Sequence, residues 1–288
     1  MTRRIIDVHV HLYQERRLGG LMRWLHREIP THPVPVDVDV PRIVRDLRDA
    51  GVVRFLCAVF PLGPGEADGL NRFVASLSHG IPGMVPLCTV HPDDGDPEAV
   101  VREAVEGMGL RGVKLHPMMM RMDLLDPRME PVFRFLDRRR LPLLIHTGME
   151  PGCPRERGRD RWERLFARYP GIPFLLAHAF FPDLPFAFGL LPRFPNLHLD
   201  ITNVPGLLAW GGDPLPFGVP RSSWGPREFA AAVERAPDRV LFGSDHPAGM
   251  GTMAQIVGQV ESLGLSPETR DRVLYGNALA LLRRAGAE

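Results

Sequence analysis

The sequence predicts a (β/α)8 barrel, and three observations carry that prediction. Eight short apolar runs recur along the 288 residues, each followed by a longer amphipathic segment. No internal repeat, low-complexity linker or 18-residue apolar stretch breaks the alternation. Side chains able to do chemistry collect where the runs stop, at the carboxyl ends of the strands, which is the face on which such barrels place their sites.

In chain order, the strand patterns fall at residues 5–11, 53–60, 84–90, 112–116, 141–146, 173–178, 197–201 and 240–244. Helical patterns occupy 41–50, 66–78, 97–108, 127–139, 160–169, 186–191, 227–235, 252–263 and 267–284. Asp39, Asp96 and Asp126 stand just before proline-led starts. A carboxylate there accepts from N–H groups that have no helical partner, and proline has no N–H to leave orphaned. Three connections, 12–37, 148–159 and 202–224, are long enough to build a pocket. The whole span, 1–288, reads as one domain.

The first strand, Ile5-Ile6-Asp7-Val8-His9-Val10-His11, shows the pattern at its clearest. Strand alternation sends Asp7, His9 and His11 to one face and Ile6, Val8 and Val10 to the other. Two imidazoles two residues apart on a strand can share one cation. The later strands add Lys114 and His116, His146, His178, His198 and Asp200, then Asp245 and His246. His198 lies within its strand and is expected to be structural, and His246 should face away from Asp245. Asp7 is a candidate to orient the histidine rings, with a buried structural carboxylate as the alternative. Asp200 is read equally as structural or as facing substrate.

Composition narrows the function classes. Apolar content of 44% and charged content of 24% are those of a soluble globular protein. A net charge of +1 gives no footing for a nucleic-acid partner, and no apolar leader or membrane span is visible. A cytoplasmic protein acting on a small molecule is expected, and a homo-oligomer is left open. Cys57, Cys88 and Cys153 are odd in number and form no CxxC pair, as expected of reduced thiols. The 35 basic residues comprise 34 arginines and one lysine, Lys114. Arginine keeps its charge at any relevant pH, whereas lysine can act as an amine or a compact point charge, so Lys114 is a candidate site residue.

The ordered motifs Asp-Val-His-Val-His, Gly-Val-Lys-Leu-His-Pro, Ile-His-Thr-Gly, Leu-Ala-His-Ala, Leu-Phe-Gly-Ser-Asp-His-Pro and Tyr-Gly-Asn-Ala span nearly the whole chain. Together they resemble the amidohydrolase superfamily, in particular its amidohydrolase-related branch of metal-dependent hydrolases and decarboxylases. The resemblance implies a divalent metal, most often zinc, held by His9, His11, His146 and Asp245. One ion is favoured, and two are possible if Lys114 is carboxylated and His178 joins the second. It also implies catalytic roles for Asp245 and His178, and Lys114 and His116 are expected to bind substrate. The reaction expected is hydrolysis of a cyclic amide, lactone or related carbonyl compound, with non-oxidative decarboxylation of a small aromatic acid as the alternative. A barrel that holds metal or ligand without turnover would be expected to have lost one of the five principal site residues, and none is missing. One departure stands out: relatives commonly have glycines after the strand-six histidine, where this chain has Ala179-Phe180-Phe181-Pro182. These aromatics are expected to narrow the pocket.

Overall fold

A computed structural model describes residues 4–148 and 158–286. Eight parallel strands run in the expected order: β1 (Ile5–Val10), β2 (Val52–Cys57), β3 (Met84–Pro86), β4 (Val113–Leu115), β5 (Leu143–His146), β6 (Phe174–Ala177), β7 (Leu197–Asp200) and β8 (Val240–Leu241). Sheets β1–β3 and β4–β8 are joined at both seams by backbone hydrogen bonds. Cys88 N donates to Gly112 O at 2.9 Å and Lys114 N to Cys88 O at 2.7 Å, while Val8 N donates to Phe242 O at 2.9 Å and Asp245 N to His9 O at 2.8 Å. The result is a ring of eight parallel strands wrapped by helices, as the alternation predicts.

The helices are α1 (Glu15–Glu28), α2 (Val40–Asp49), α3 (Ala67–Ser78), α4 (Pro97–Arg102), α5 (Glu130–Arg139), α6 (Arg159–Arg168), α7 (Leu184–Leu190), α8 (Val204–Leu208), α9 (Pro226–Arg235), α10 (Met253–Glu261), α11 (Pro267–Asp271) and α12 (Asn277–Arg284). The expected caps form. Asp39 accepts from Arg42 N at 2.8 Å, Asp96 from Ala99 N at 3.0 Å and Asp126 from Arg128 N at 2.9 Å. The connection 12–37 is not the open loop expected, because α1 fills half of it and buries Leu18, Met22 and Leu25 at helical spacing. Gly19-Gly20 conceals that stripe, since paired glycines read as a break.

Simple alternation also fails in β1. Ile6 and Val8 join one apolar cluster with Leu56, Leu144, Leu175 and Leu241, whereas Val10 joins Ile5 in the other. The pairing of β1 with β2 slips between Asp7 and Val10, and such an irregularity re-aims the side chains that follow it. Predicted strands overran at their carboxyl ends. His11, His116 and His178 each lie one residue past the end of their strand, and Asp245 lies four residues past Leu241, where the chain turns outward into loops.

The Cys57 and Cys88 thiols are free and buried, and burial pushes both up to about 12. Cys153 lies outside the described residues, as do Arg155, Arg157 and most of the 148–159 connection. No helix among the described residues is long and apolar enough to cross a membrane.

His198 occupies the structural place expected of it, within β7 opposite Leu175. Burial first, then the charges of Arg239 and Arg284, lower its pKa from 6.5 to about 3. The unfolded chain therefore takes up a proton near pH 6.5 that the folded chain refuses until about pH 3. Acidification through that window favours unfolding, by about 1.4 kcal/mol per pH unit for this group. His198→Leu should flatten the loss of stability between pH 6 and 4 by about that slope, as measured by denaturant unfolding at several pH values.

Candidate metal centre

Five imidazoles form an arc across the carboxyl end of the barrel. Ring centroids are 5.0 Å apart for His11 and His9, 5.3 Å for His9 and His178, 4.6 Å for His178 and His146, and 3.8 Å for the stacked pair His146 and His116. Asp245 completes the near end. Its Oδ1 lies 2.9 Å from His11 Nε2 and 3.6 Å from His9 Nε2.

The tautomers of the first two rings follow from their other nitrogens. His9 Nδ1 lies 2.8 Å from Asp200 Oδ2, and His11 Nδ1 lies 2.6 Å from Ala58 O. A carbonyl or a carboxylate can only accept, so Nδ1 carries the proton in both rings and each Nε2 presents a lone pair. Burial, reinforced by the Lys114 charge, lowers the pKa of His9 and keeps that ring neutral. For Asp245, burial favours the neutral acid, but the surrounding imidazoles of His11, His9 and His178 outweigh it and hold the carboxyl well below its usual range.

Two lone pairs and a carboxylate thus converge. Among the described residues, His9, His11 and Asp245 are the one group of three whose ligand atoms lie within 4.8 Å of one another. Acceptors facing one another at such distances need a positive charge between them, and an N,N,O set suits zinc or a similar divalent ion. Asp200 anchoring the far nitrogen of His9 is the carboxylate–histidine arrangement that orients metal-binding imidazoles.

Not every predicted residue joins the trio. His146 is outside the trio: its ring lies flat against His116 and neighbours His178 rather than His9. Burial lowers the pKa of both His146 and His178. His178 Nδ1 donates to Thr202 O at 3.1 Å. His116 is flanked by Phe60 at 4.6 Å. Lys114 is completely buried, with Nζ 3.1 Å from His9 Nε2. Asp7 takes the structural one of its two expected roles, buried and with no imidazole nitrogen among its hydrogen-bond partners. Its Oδ1 accepts from the backbone N–H groups of His9 and Ser244, both at 3.0 Å, tying β1 to the loop after β8. Burial raises the Asp7 pKa from 3.8 to about 7. The orienting carboxylate is Asp200 instead, and its place at the end of β7 was the only sign of it in the sequence. His246 faces away, 3.5 Å from Asp46 Oδ2.

The residues after His178 explain how glycines are dispensed with. His178, Ala179 and Phe180 all take positive φ, at 65°, 46° and 57°, a left-handed turn that non-glycine residues adopt at a cost. Phe180 N donates to Thr147 Oγ1 at 3.0 Å. The Phe180 ring packs edge-on against Trp162 of α6 and Phe186 of α7, both at 5.1 Å, so its contacts lie with the helices rather than with the imidazoles.

Gly243 is required for a different reason. A Cβ there would overlap Thr202 Oγ1 and Asp200 Oδ1 and approach His9 Cβ to 2.9 Å. Thr202 Oγ1 donates to Asp200 Oδ1 at 2.5 Å, so the added methyl would press on the pair that orients His9. Gly243→Ala should cost about 1–3 kcal/mol of stability and weaken any divalent-metal binding at the trio about 10- to 100-fold. Denaturant unfolding and chelator competition would measure the two effects.

A family model described as Amidohydrolase matches residues 6–284. No curated protein matches the sequence. Among solved structures, the chain is similar to an uncharacterized TIM-barrel protein from Bordetella bronchiseptica at 18% identity and TM-score 0.74, covering 98% of this chain and 99% of that one. It is similar to a putative 2-pyrone-4,6-dicarboxylic acid hydrolase from Pseudomonas putida at 19% identity and TM-score 0.64, covering 99% and 98%. It is also similar to 5-carboxyvanillate decarboxylase from Sphingomonas paucimobilis at 16% identity and TM-score 0.61, covering 98% and 99%.

Proposed function

This chain belongs to the amidohydrolase family, and on that premise we propose that it is a metal-dependent hydrolase of a small cyclic amide, lactone or related carbonyl compound. The observation that carries the reading is the convergence of His9 Nε2, His11 Nε2 and Asp245 Oδ1, with the far nitrogen of each ring already held. These three residues would hold a divalent ion, most suitably zinc, with His178 and His146 as the adjoining imidazoles. A bound zinc would supply a water acidic enough to attack at neutral pH and an electrophile for the substrate oxygen.

The chain's own groups divide the remaining work. Asp245, ionised and only 14% exposed, accepts the proton of the attacking water and returns it to the leaving group. His178, its Nδ1–H donated to Thr202 O, turns the lone pair of its other nitrogen to accept from an N–H or O–H of the substrate. Lys114 offers a buried positive charge beside His9, and His116 forms the far wall against Phe60.

Decarboxylation of a small aromatic acid is the second reading, and buried Lys114 is what favours it. A cation in so dry a place is suited to a substrate carboxylate. In that reaction Asp245 takes the proton of the substrate acid and delivers it to the carbon that loses carbon dioxide. Incubating the zinc-loaded enzyme with lactones, cyclic amides and aromatic carboxylates separates the two. Ring-opened acid without gas is the expected product, and carbon dioxide release from an aromatic acid would establish the lyase. The substrate is expected to be small, with neither nucleic acid nor membrane as partner.

A further inference from the structure

Only one oxygen of Asp245 faces the imidazoles. The other, Oδ2, accepts a hydrogen bond from Asn203 Nδ2 at 3.1 Å. The terminal torsion of an aspartate is broad and has no steep preference of its own, so whatever holds Oδ2 also decides where Oδ1 points. The orientation of the Asn203 amide is itself determined. Its Oδ1 accepts from Met250 N at 3.0 Å, and a backbone N–H can only donate, so the NH2 group must face Asp245.

The Asn203 backbone is fixed as well. Its φ is 64°, a left-handed conformation that asparagine tolerates better than most residues. It stands at the head of α8, where its carbonyl accepts from Leu207 N at 2.9 Å. A single side chain thus ties the connection after β7 to the connection after β8, and does so through Asp245.

We propose that Asn203 is the positioning residue for Asp245. By donating to Oδ2 it holds the carboxylate so that Oδ1 is presented to the His9 and His11 lone pairs. The inference rests on the reading of Asp245 as a metal ligand. Its rival is a plain loop latch, in which the bond to Met250 is what counts and Asp245 is incidental.

A double-mutant cycle on zinc affinity separates the two, because a residue acting through Asp245 has nothing left to do once that carboxylate is gone. Asn203→Gly suits the left-handed backbone and removes the whole amide. Asn203→Ser, too short to reach, serves as a second variant. Zinc affinity is read by competition with a chromophoric chelator, and denaturant unfolding of each metal-free variant confirms that it folds. The expected result is about a 10- to 100-fold loss of affinity for Asn203→Gly in the wild-type chain and no further loss in an Asp245→Ala background. Equal losses in both backgrounds, or wild-type affinity in Asn203→Gly, would overturn the positioning role while leaving Asp245 a ligand. Wild-type affinity in Asp245→Ala alone would instead overturn the ligand assignment on which the inference rests.

Discussion

Asp245→Asn should leave the fold intact and lower turnover by about 100- to 10,000-fold. The amide matches the carboxylate in size, so the packing around it has no reason to change. What it loses is basicity: an amide cannot take a proton from water or return one. The asparagine NH2 would also meet the amide of Asn203, donor against donor, where Oδ2 now accepts at 3.1 Å. Circular dichroism and denaturant unfolding check the fold, and steady-state rates on whichever panel compound is turned over check the chemistry. Near wild-type turnover would remove Asp245 from acid–base catalysis.

Lys114→Arg and Lys114→Met should each reduce turnover by about 100-fold or more, as expected when a group that contacts and tunes a metal ligand is replaced. Lys114 is fully buried, with its amine 3.1 Å from His9 Nε2. Arginine brings a larger, permanently charged fork into a space shaped for a single ammonium, and methionine keeps the length but drops the charge. Metal stoichiometry then divides the two chemistries open to the residue. About one metal per chain, in the wild type and in both variants, is expected from the single convergent trio and fits an ammonium that meets substrate. About two metals, falling in both variants, would show that Lys114 is carboxylated and bridges a pair. Full activity in Lys114→Arg would show that the lone lysine is an accident of composition.

Much of this architecture is legible in the residues themselves. Strand positions follow from apolar runs, and helix starts from Asp39, Asp96 and Asp126, because both signals are local. The mouth of the barrel can be located because His9, Lys114, His146 and Asp245 each end an apolar run. Relations that depend on distant parts of the chain meeting are not written locally. Asp200 reaches His9 across 191 residues, and no pattern near either announces it. Asn203 gives no signal until the connections after β7 and β8 are seen side by side. The slip in β1 defeats simple alternation because it belongs to the pairing with β2 rather than to β1 alone. His146 matches the family motif yet stacks on His116, a contact that neither residue's own segment specifies.

Elemental analysis decides whether His9, His11 and Asp245 hold a divalent metal. The wild-type chain and the His9→Ala/His11→Ala double variant would be loaded with zinc, dialysed against metal-free buffer and measured together, with circular dichroism confirming that both are folded. About one zinc per wild-type chain is expected, and less than about a tenth of that in the double variant. Zinc retained by the double variant at the wild-type level, or none retained by the wild type, would contradict the assignment.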